Sequence, residues 1–208
     1  MLHPMIRLLA LIAVMALVSP VRSDETSRPQ NGPYYSGQLL VAGPSMPDPR
    51  FAGVVIYLAD HDREGAIGLV VNQPLGGGPV RDFLIGLGHP PADDDDISGD
   101  IRIHRGGPVD RGAGFVLHTN DYQTENTAMI RGAVAVTASL DAVKDIGRGK
   151  GPRRYLILLG YAGWRGGQLE EELRRGDWEI APYDEETVFG TDDDAKWSRA
   201  HANAGVPM

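Results

Sequence analysis

A chain of 208 residues with 42% hydrophobic and 23% charged side chains suits one globular domain with a full-sized core. Acidic residues number 28 against 20 basic ones, a formal net charge of −8 that disfavours a broad nucleic-acid track, because such surfaces need a basic face. There is no cysteine, which excludes disulfides, thiolate nucleophiles and cysteine-based zinc sites, while 27 glycines imply many sharp turns between short strands.

The chain opens on a leader pattern. Arg7 precedes an apolar run from Leu8 to Val18, too short to cross a bilayer as a helix, and Val21-Arg22-Ser23 follows with small or apolar residues at the cleavage positions. Residues 1–23 therefore read as a signal peptide cut after Ser23. That predicts a periplasmic or secreted protein with no stable membrane span after cleavage. A cytoplasmic location, from an internal start, is the alternative. Residues 24–36 carry Pro29 and Pro33 and read as a flexible lead-in; residues 37–208 read as a single domain.

Gly37–Ala42 is a short strand stopped by a proline-rich segment, Gly43 to Pro49. Val54–Ala59 and Ala66–Val71 form a hairpin with the charged tip Asp60 to Gly65. That tip imitates the start of a calcium loop, but the position needing a bidentate carboxylate is Val71, so a hairpin turn explains it better. Gly78-Pro79 opens a helix with Val80, Phe83, Leu84 and Leu87 on one stripe and Gly88 at its end. Strands Ile101–His104 and Phe115–His118 bracket a loop from Arg105 to Gly112. Ala133–Ala138 is a strand, and Ser139 caps a helix that turns Leu140, Val143 and Ile146 inward.

Tyr155–Leu159 has no polar alternation and reads as a strand buried on both faces. Gly160, Gly163, Gly166 and Gly167 are expected to end it in a loop. A helix follows, with Gly167 as N-cap, glutamates 170–172 near its start, Arg174 and Arg175 near its end, and Gly176 closing it. Glu170–Arg174 and Glu171–Arg175 have the spacing of helix-surface ion pairs. A strand Trp178–Ala181 and a helix capped by Thr191 or Asp192, running through Trp197, Ala200 and Ala204, complete an α+β pattern with a mixed, mainly antiparallel sheet.

Chemistry-bearing motifs are sparse. The glycine loop before Gln168 lacks the Lys-Ser/Thr pair of a phosphate cradle. Gly43-x-Ser45 has Pro47 where a nucleophile elbow needs glycine. No histidine spacing suggests a metal, and no cofactor is expected. His61, His104 and His118 remain open to a spatially assembled triad, though His104 and His118 at strand ends read more simply as hydrogen-bonded loop residues. Tyr161 and Trp164 could offer a stacking platform, with packing the preferred role. Arg102, Arg105 and Arg111 form one basic group, and Arg148, Lys150, Arg153 and Arg154 another.

Several of these motifs together resemble the AlgH/YqgE family of bacterial proteins: Asp48-Pro49-x-Phe51, Glu64-Gly65-Ala66-x-Gly68-Leu69-Val70-Val71-Asn72-x-Pro74, Gly106-Gly107-Pro108-Val109, Phe115-x-Leu117-His118, and Gly160-Tyr161-Ala162-Gly163-Trp164-x-x-Gly167-Gln168-Leu169-Glu170, with Trp178 and Ala181-Pro182 beyond. The resemblance spans Gly37 to Trp197. It implies a strongly coiled, bifurcated sheet, a link to transcriptional regulation at the level of a name, and no agreed catalytic residues. Gln73 and Ala113 stand where basic residues are expected, which weakens an anion-binding role for those loops, and the leader departs from a family expected in the cytoplasm.

These features predict an exported, non-enzymatic binding or regulatory module for an unknown protein or small molecule. Its contact surface would hold Arg105, Gly106, Gly107, Pro108, His118, Tyr161, Trp164 and Gln168. The rivals are a cytoplasmic transcriptional regulator and a hydrolase or transferase using His104 or His118 as base.

Overall fold

Leu39–Ala42 (β1) is buried at every position because it lies inside the sheet, between strands from opposite ends of the chain. The structure is a computed structural model that describes residues 34–205; the leader reading of residues 1–23 lies outside them. β1 pairs antiparallel with Val55–Asp62 (β2) on one side. Its other neighbour is Trp178–Ala181 (β10), also antiparallel. β2 turns through Arg63-Glu64 into Gly65–Val70 (β3), the expected hairpin. The Asp62 carboxylate accepts the Glu64 backbone N–H at 2.7 Å, so the acidic tip is a self-bonded turn.

The centre of the sheet is Tyr155–Arg165 (β9), and here the sequence expectation fails. The glycines do not end the strand. Gly160 adopts φ +74°, a left-handed conformation that lets the strand bend and continue. Before the bend, β9 lies between Asp100–Arg105 (β5), its one parallel partner among the described residues, and Val109–Thr119 (β6). After it, residues Ala162 to Arg165 pair with β3. One strand thus belongs to both arms of a bifurcated sheet. Among the described residues ten strands take part, in the order β10-β1-β2-β3-β9-β6-β8-β7, with a β4–β5 hairpin branching from β9. β7 is Thr127–Met129 and β8 is Val134–Thr137.

Three other elements differ from expectation. Pro74–Pro79 (β4), Pro-Leu-Gly-Gly-Gly-Pro, is a strand paired on one side only, the place where proline costs no ladder bond. β6 begins six residues early, at Val109, and absorbs the excess as a register shift around Asp110, whose φ is +39°. Glu185–Phe189 (α4) is an unexpected short helix capped by Asp184, whose carboxylate accepts the Thr187 N–H.

The arms carry separate cores. Val80–Gly86 (α1) and Leu140–Gly147 (α2) cover one, built on Val80, Leu84, Ile101, Val116, Val143 and Ile157. Leu87, expected inward, is exposed one residue past the end of α1. Ser139 caps α2 as read, accepting the Asp141 N–H, a contribution of about 1 kcal/mol. Gln168–Arg175 (α3) covers the other core, which holds Leu40, Ile56, Leu58, Trp164, Leu169 and Trp178. Full burial of Leu169 contributes about 2 kcal/mol. Gly167 and Gly176 bound α3 as expected. The anticipated surface pairs do not form among the described residues: Glu170 meets His61, and Arg175 turns to Asp177. Asp193–Ala202 (α5), capped by Asp192, packs back over β1 and donates the Trp197 indole N–H to Ala42 O at 2.9 Å. The family of folds is α+β, and the curled, forked sheet agrees with the expectation.

Candidate functional site

Where β9 passes into α3, three segments far apart in sequence converge on one cleft of about 290 Å³. The proline-rich segment supplies Met46, Pro47 and Phe51; the start of β6 supplies Pro108 and Val109; β9 and α3 supply Trp164, Gln168 and Glu172. Trp178 of β10, with Asp48, Arg50, Arg175 and Asp177, completes it.

A single carboxylate organises this cleft. Glu172 Oε2 accepts the indole N–H of Trp164 at 2.7 Å and that of Trp178 at 2.9 Å, while Oε1 accepts from the Gln168 amide at 3.0 Å. The indoles stand edge to face, 6.0 Å between centroids, and Phe51 meets Trp178 in the same way at 5.4 Å. Such contacts fix large rings in place at little entropic cost. Charge-assisted bonds to a carboxylate are the stronger kind, so the two indoles are held rather than merely packed.

At one end the cleft adjoins a smaller hollow of about 80 Å³, sharing Arg50, Phe51 and Pro108 with it. Arg105, Arg111 and Gln73 line this hollow too. Arg50 is paired with Asp48, Nη2 to Oδ2 at 2.6 Å, and that hydrogen bonding holds the Asp48 carboxyl below its ordinary value. Arg105 and Arg111 are exposed and form no ion pair among the described residues.

A second polar cluster lies beneath α5, buried except for the side chain of Arg102 at its edge. Lys196, 2% exposed, donates to Val71 O at 2.8 Å, to Val188 O at 3.0 Å and to Asp193 Oδ1 at 3.0 Å, which uses all three ammonium protons. Asp193 also accepts from His104 Nε2 at 3.2 Å and from Arg102. Burial lowers the pKa of His104, and its Nδ1 has no hydrogen-bond partner among the described residues, so the ring is neutral with its proton on Nε2. Burial also pulls Lys196 down. For Asp193 burial pushes upward, but the Lys196 hydrogen bond and charge, with His104, outweigh it and hold the acid below its usual value.

The residues singled out from sequence divide accordingly. Pro108, Trp164 and Gln168 line the cleft, and Arg105 and Gly107 line the hollow. Gly106 serves the fold: its N–H donates to Leu159 O and its carbonyl accepts from Val70, stitching β3 to β9. Gly107 lies so close to β9 that a Cβ would fall 2.0 Å from the Tyr161 carbonyl carbon. Tyr161 faces Phe115 edge-on and lies outside the cleft. His118 is fully buried in β6, not on a surface: Nδ1–H donates to Thr119 O at 2.7 Å and Nε2 accepts from Thr137 at 2.8 Å. Neither His104 nor His118 is a loop residue. His61 is likewise buried, accepting the Tyr35 N–H on Nδ1 and donating from Nε2 to Glu170. Of the basic groups, Arg102 is committed to Asp193, while Arg148 pairs with Asp95 and Arg153 and Arg154 with Glu185. Ala113, where a basic residue was expected, is buried.

Sequence reasoning missed Arg50, Glu172 and Lys196. Glu172 carried a usable signal. It is the one glutamate of the triplet with glycine instead of arginine four residues on, and it sits three residues from buried Leu169.

This architecture recurs in known proteins. The chain aligns at 42% identity over 173 residues with a UPF0301 protein of Methylococcus capsulatus, covering 83% of this chain and 93% of the relative. A UPF0301 protein of Rhodospirillum rubrum is 44% identical, with 83% and 88% covered. The solution structure of the AlgH protein from Pseudomonas aeruginosa superposes with a TM-score of 0.69 at 38% identity, covering 87% of this chain and 94% of that one. A crystal structure of a Corynebacterium diphtheriae protein shares the fold at 20% identity and a TM-score of 0.60, with 87% and 91% covered. The family model described as DUF179, AlgH-like, matches residues 39–208, and with relatives this similar over most of their length the chain belongs to the AlgH-like family.

Proposed function

We propose that this protein is a non-enzymatic binding module, exported, whose cleft between the proline-rich segment, Pro108 and α3 takes a small organic ligand with a flat apolar body. The observation that carries the reading is Glu172 clamping both indoles, which builds a rigid, preformed apolar floor. Its volume of about 290 Å³ sits at the small end of cofactor and ligand sites, roughly 300–1,000 Å³, which favours a small molecule over an extended chain. The histidines support the same reading. A general base needs a nucleophile or water within hydrogen-bond reach, whereas His118 has both nitrogens bonded inside the core and His104 is sealed against Asp193.

The test is a two-dimensional NMR screen of residues 24–208 with a library of small aromatic and heteroaromatic compounds. Hits are expected to move the indole N–H signals of Trp164 and Trp178 and to leave Trp197 in place. Hits that map elsewhere, tight binding of long peptides only, or turnover of an ester panel that disappears in His104→Ala would each overturn the reading. Export is checked by mass spectrometry of the native N-terminus, which should begin at Asp24; retention of residues 1–23 removes that part of the proposal.

A further inference from the structure

We infer that the small hollow beside the cleft is an anion subsite, so that the ligand is an organic acid whose carboxylate sits between Arg105 and Arg111 while its apolar body lies against Phe51 and Pro108. This rests on the binding reading above and adds the ligand's charge. Three arginines, Arg50, Arg105 and Arg111, are among the residues that line one hollow of about 80 Å³. Among the described residues, Arg50 alone of the three has a carboxylate partner, Asp48. The hollow therefore has two arginines without an ion-pair partner among the described residues, in a chain whose formal net charge is −8.

Elsewhere the fold quenches arginine where it clusters: Arg102, Arg148, Arg153 and Arg154 each meet an acid. Two arginines that line one hollow bring like charges to the same place, an arrangement that an oxyanion relieves and water relieves less well. Gln73, on the same wall, can donate its amide as well as accept; it reaches Arg50 O at 3.4 Å. The shared lining also sets the ligand's path. Phe51 and Pro108 belong to both hollows, so a ligand anchored by its acid at the arginines passes directly over them toward the tryptophans. A bulky anion is disfavoured because the hollow holds little more than its own head group, which makes a carboxylate on an aromatic or cyclic body the fitting class.

The experiment titrates the mature chain with 2-naphthoate, indole-3-acetate, their primary amides and inorganic phosphate, following indole N–H and arginine Nε–H signals. The acids are expected to bind at least tenfold more tightly than the amides, with affinity falling as salt rises. Arg105→Ala with Arg111→Ala, both at exposed positions, should abolish the tenfold preference while the amides still shift Trp164 and Trp178; the double lysine variant should restore part of it. Equal binding of acid and amide overturns the anion subsite and leaves the cleft reading standing. Phosphate binding at the arginines without any response to the acids overturns the joint site. Silence of the indoles with every probe overturns both.

Discussion

Two carboxylates in this molecule do the same job in opposite surroundings. Asp193, beneath α5, collects Lys196, His104 and Arg102; Glu172, on α3, collects two indoles and an amide. The first is walled in by backbone and ties the last helix to β5 and to the ends of β3 and α4. The second borders open space and arranges rings around a cleft. A gathered set of N–H donors therefore marks structural fixing in general. Whether it also makes a site depends on whether the fixed groups border room for a ligand.

The largest way to break this comparison is Asp193→Ala. It leaves Lys196 buried without a counter-charge and should cost about 3–5 kcal/mol, read by denaturant unfolding. Glu172→Ala should cost less, about 2–3 kcal/mol, because it strands two indole N–H groups that are neutral and near a cleft water can enter. Glu172→Gln keeps one acceptor oxygen and should recover roughly half of that loss. If Glu172→Ala unfolds the protein more readily than Asp193→Ala, the buried cluster is not the stronger tie.

Acid should separate the regions further. Burial holds His104 and His118 below the ordinary histidine value of 6.5. The unfolded chain then binds protons first, so the stability these groups contribute is full above pH 6.5 and declines as pH falls through the window below it. Unfolding midpoints between pH 7.5 and 5 should show this decline, and His104→Gln should flatten it; an unchanged slope would remove the buried cluster from the response. The smallest expected effect sharpens the contrast most. Replacing Arg105 and Arg111 by alanine should leave the melting temperature unaltered, since neither has an ion-pair partner among the described residues.

Legibility in the sequence followed range. The limits of α3, the Ser139 cap and the β2–β3 hairpin are local contracts between neighbours, and each was readable from a few residues. Gly160 misled because a glycine signals a turn equally well whether the chain reverses or merely bends, and only its tertiary neighbours decide. Lys196 and His104 were unreadable as a pair because β5 and α5 meet only in the finished fold. Yet a lysine on the inner face of α5, four residues before buried Ala200, was a local hint of a buried charge. The cleft was half legible: Pro108, Trp164 and Gln168 stood out as motifs, but Met46 to Phe51 looked like a rigid connector and gave no sign of forming a wall.

The position of β1 carries a consequence for biogenesis. Its neighbour β10 follows all the other described strands in the chain, so Leu39–Ala42 must wait with one edge bare while those strands are made. An all-apolar strand held open that long invites mispairing with other nascent chains. Truncation before Trp178 should accordingly yield insoluble aggregates instead of a smaller folded body, and a folding helper that shields this strand would raise yield more than any change near the cleft.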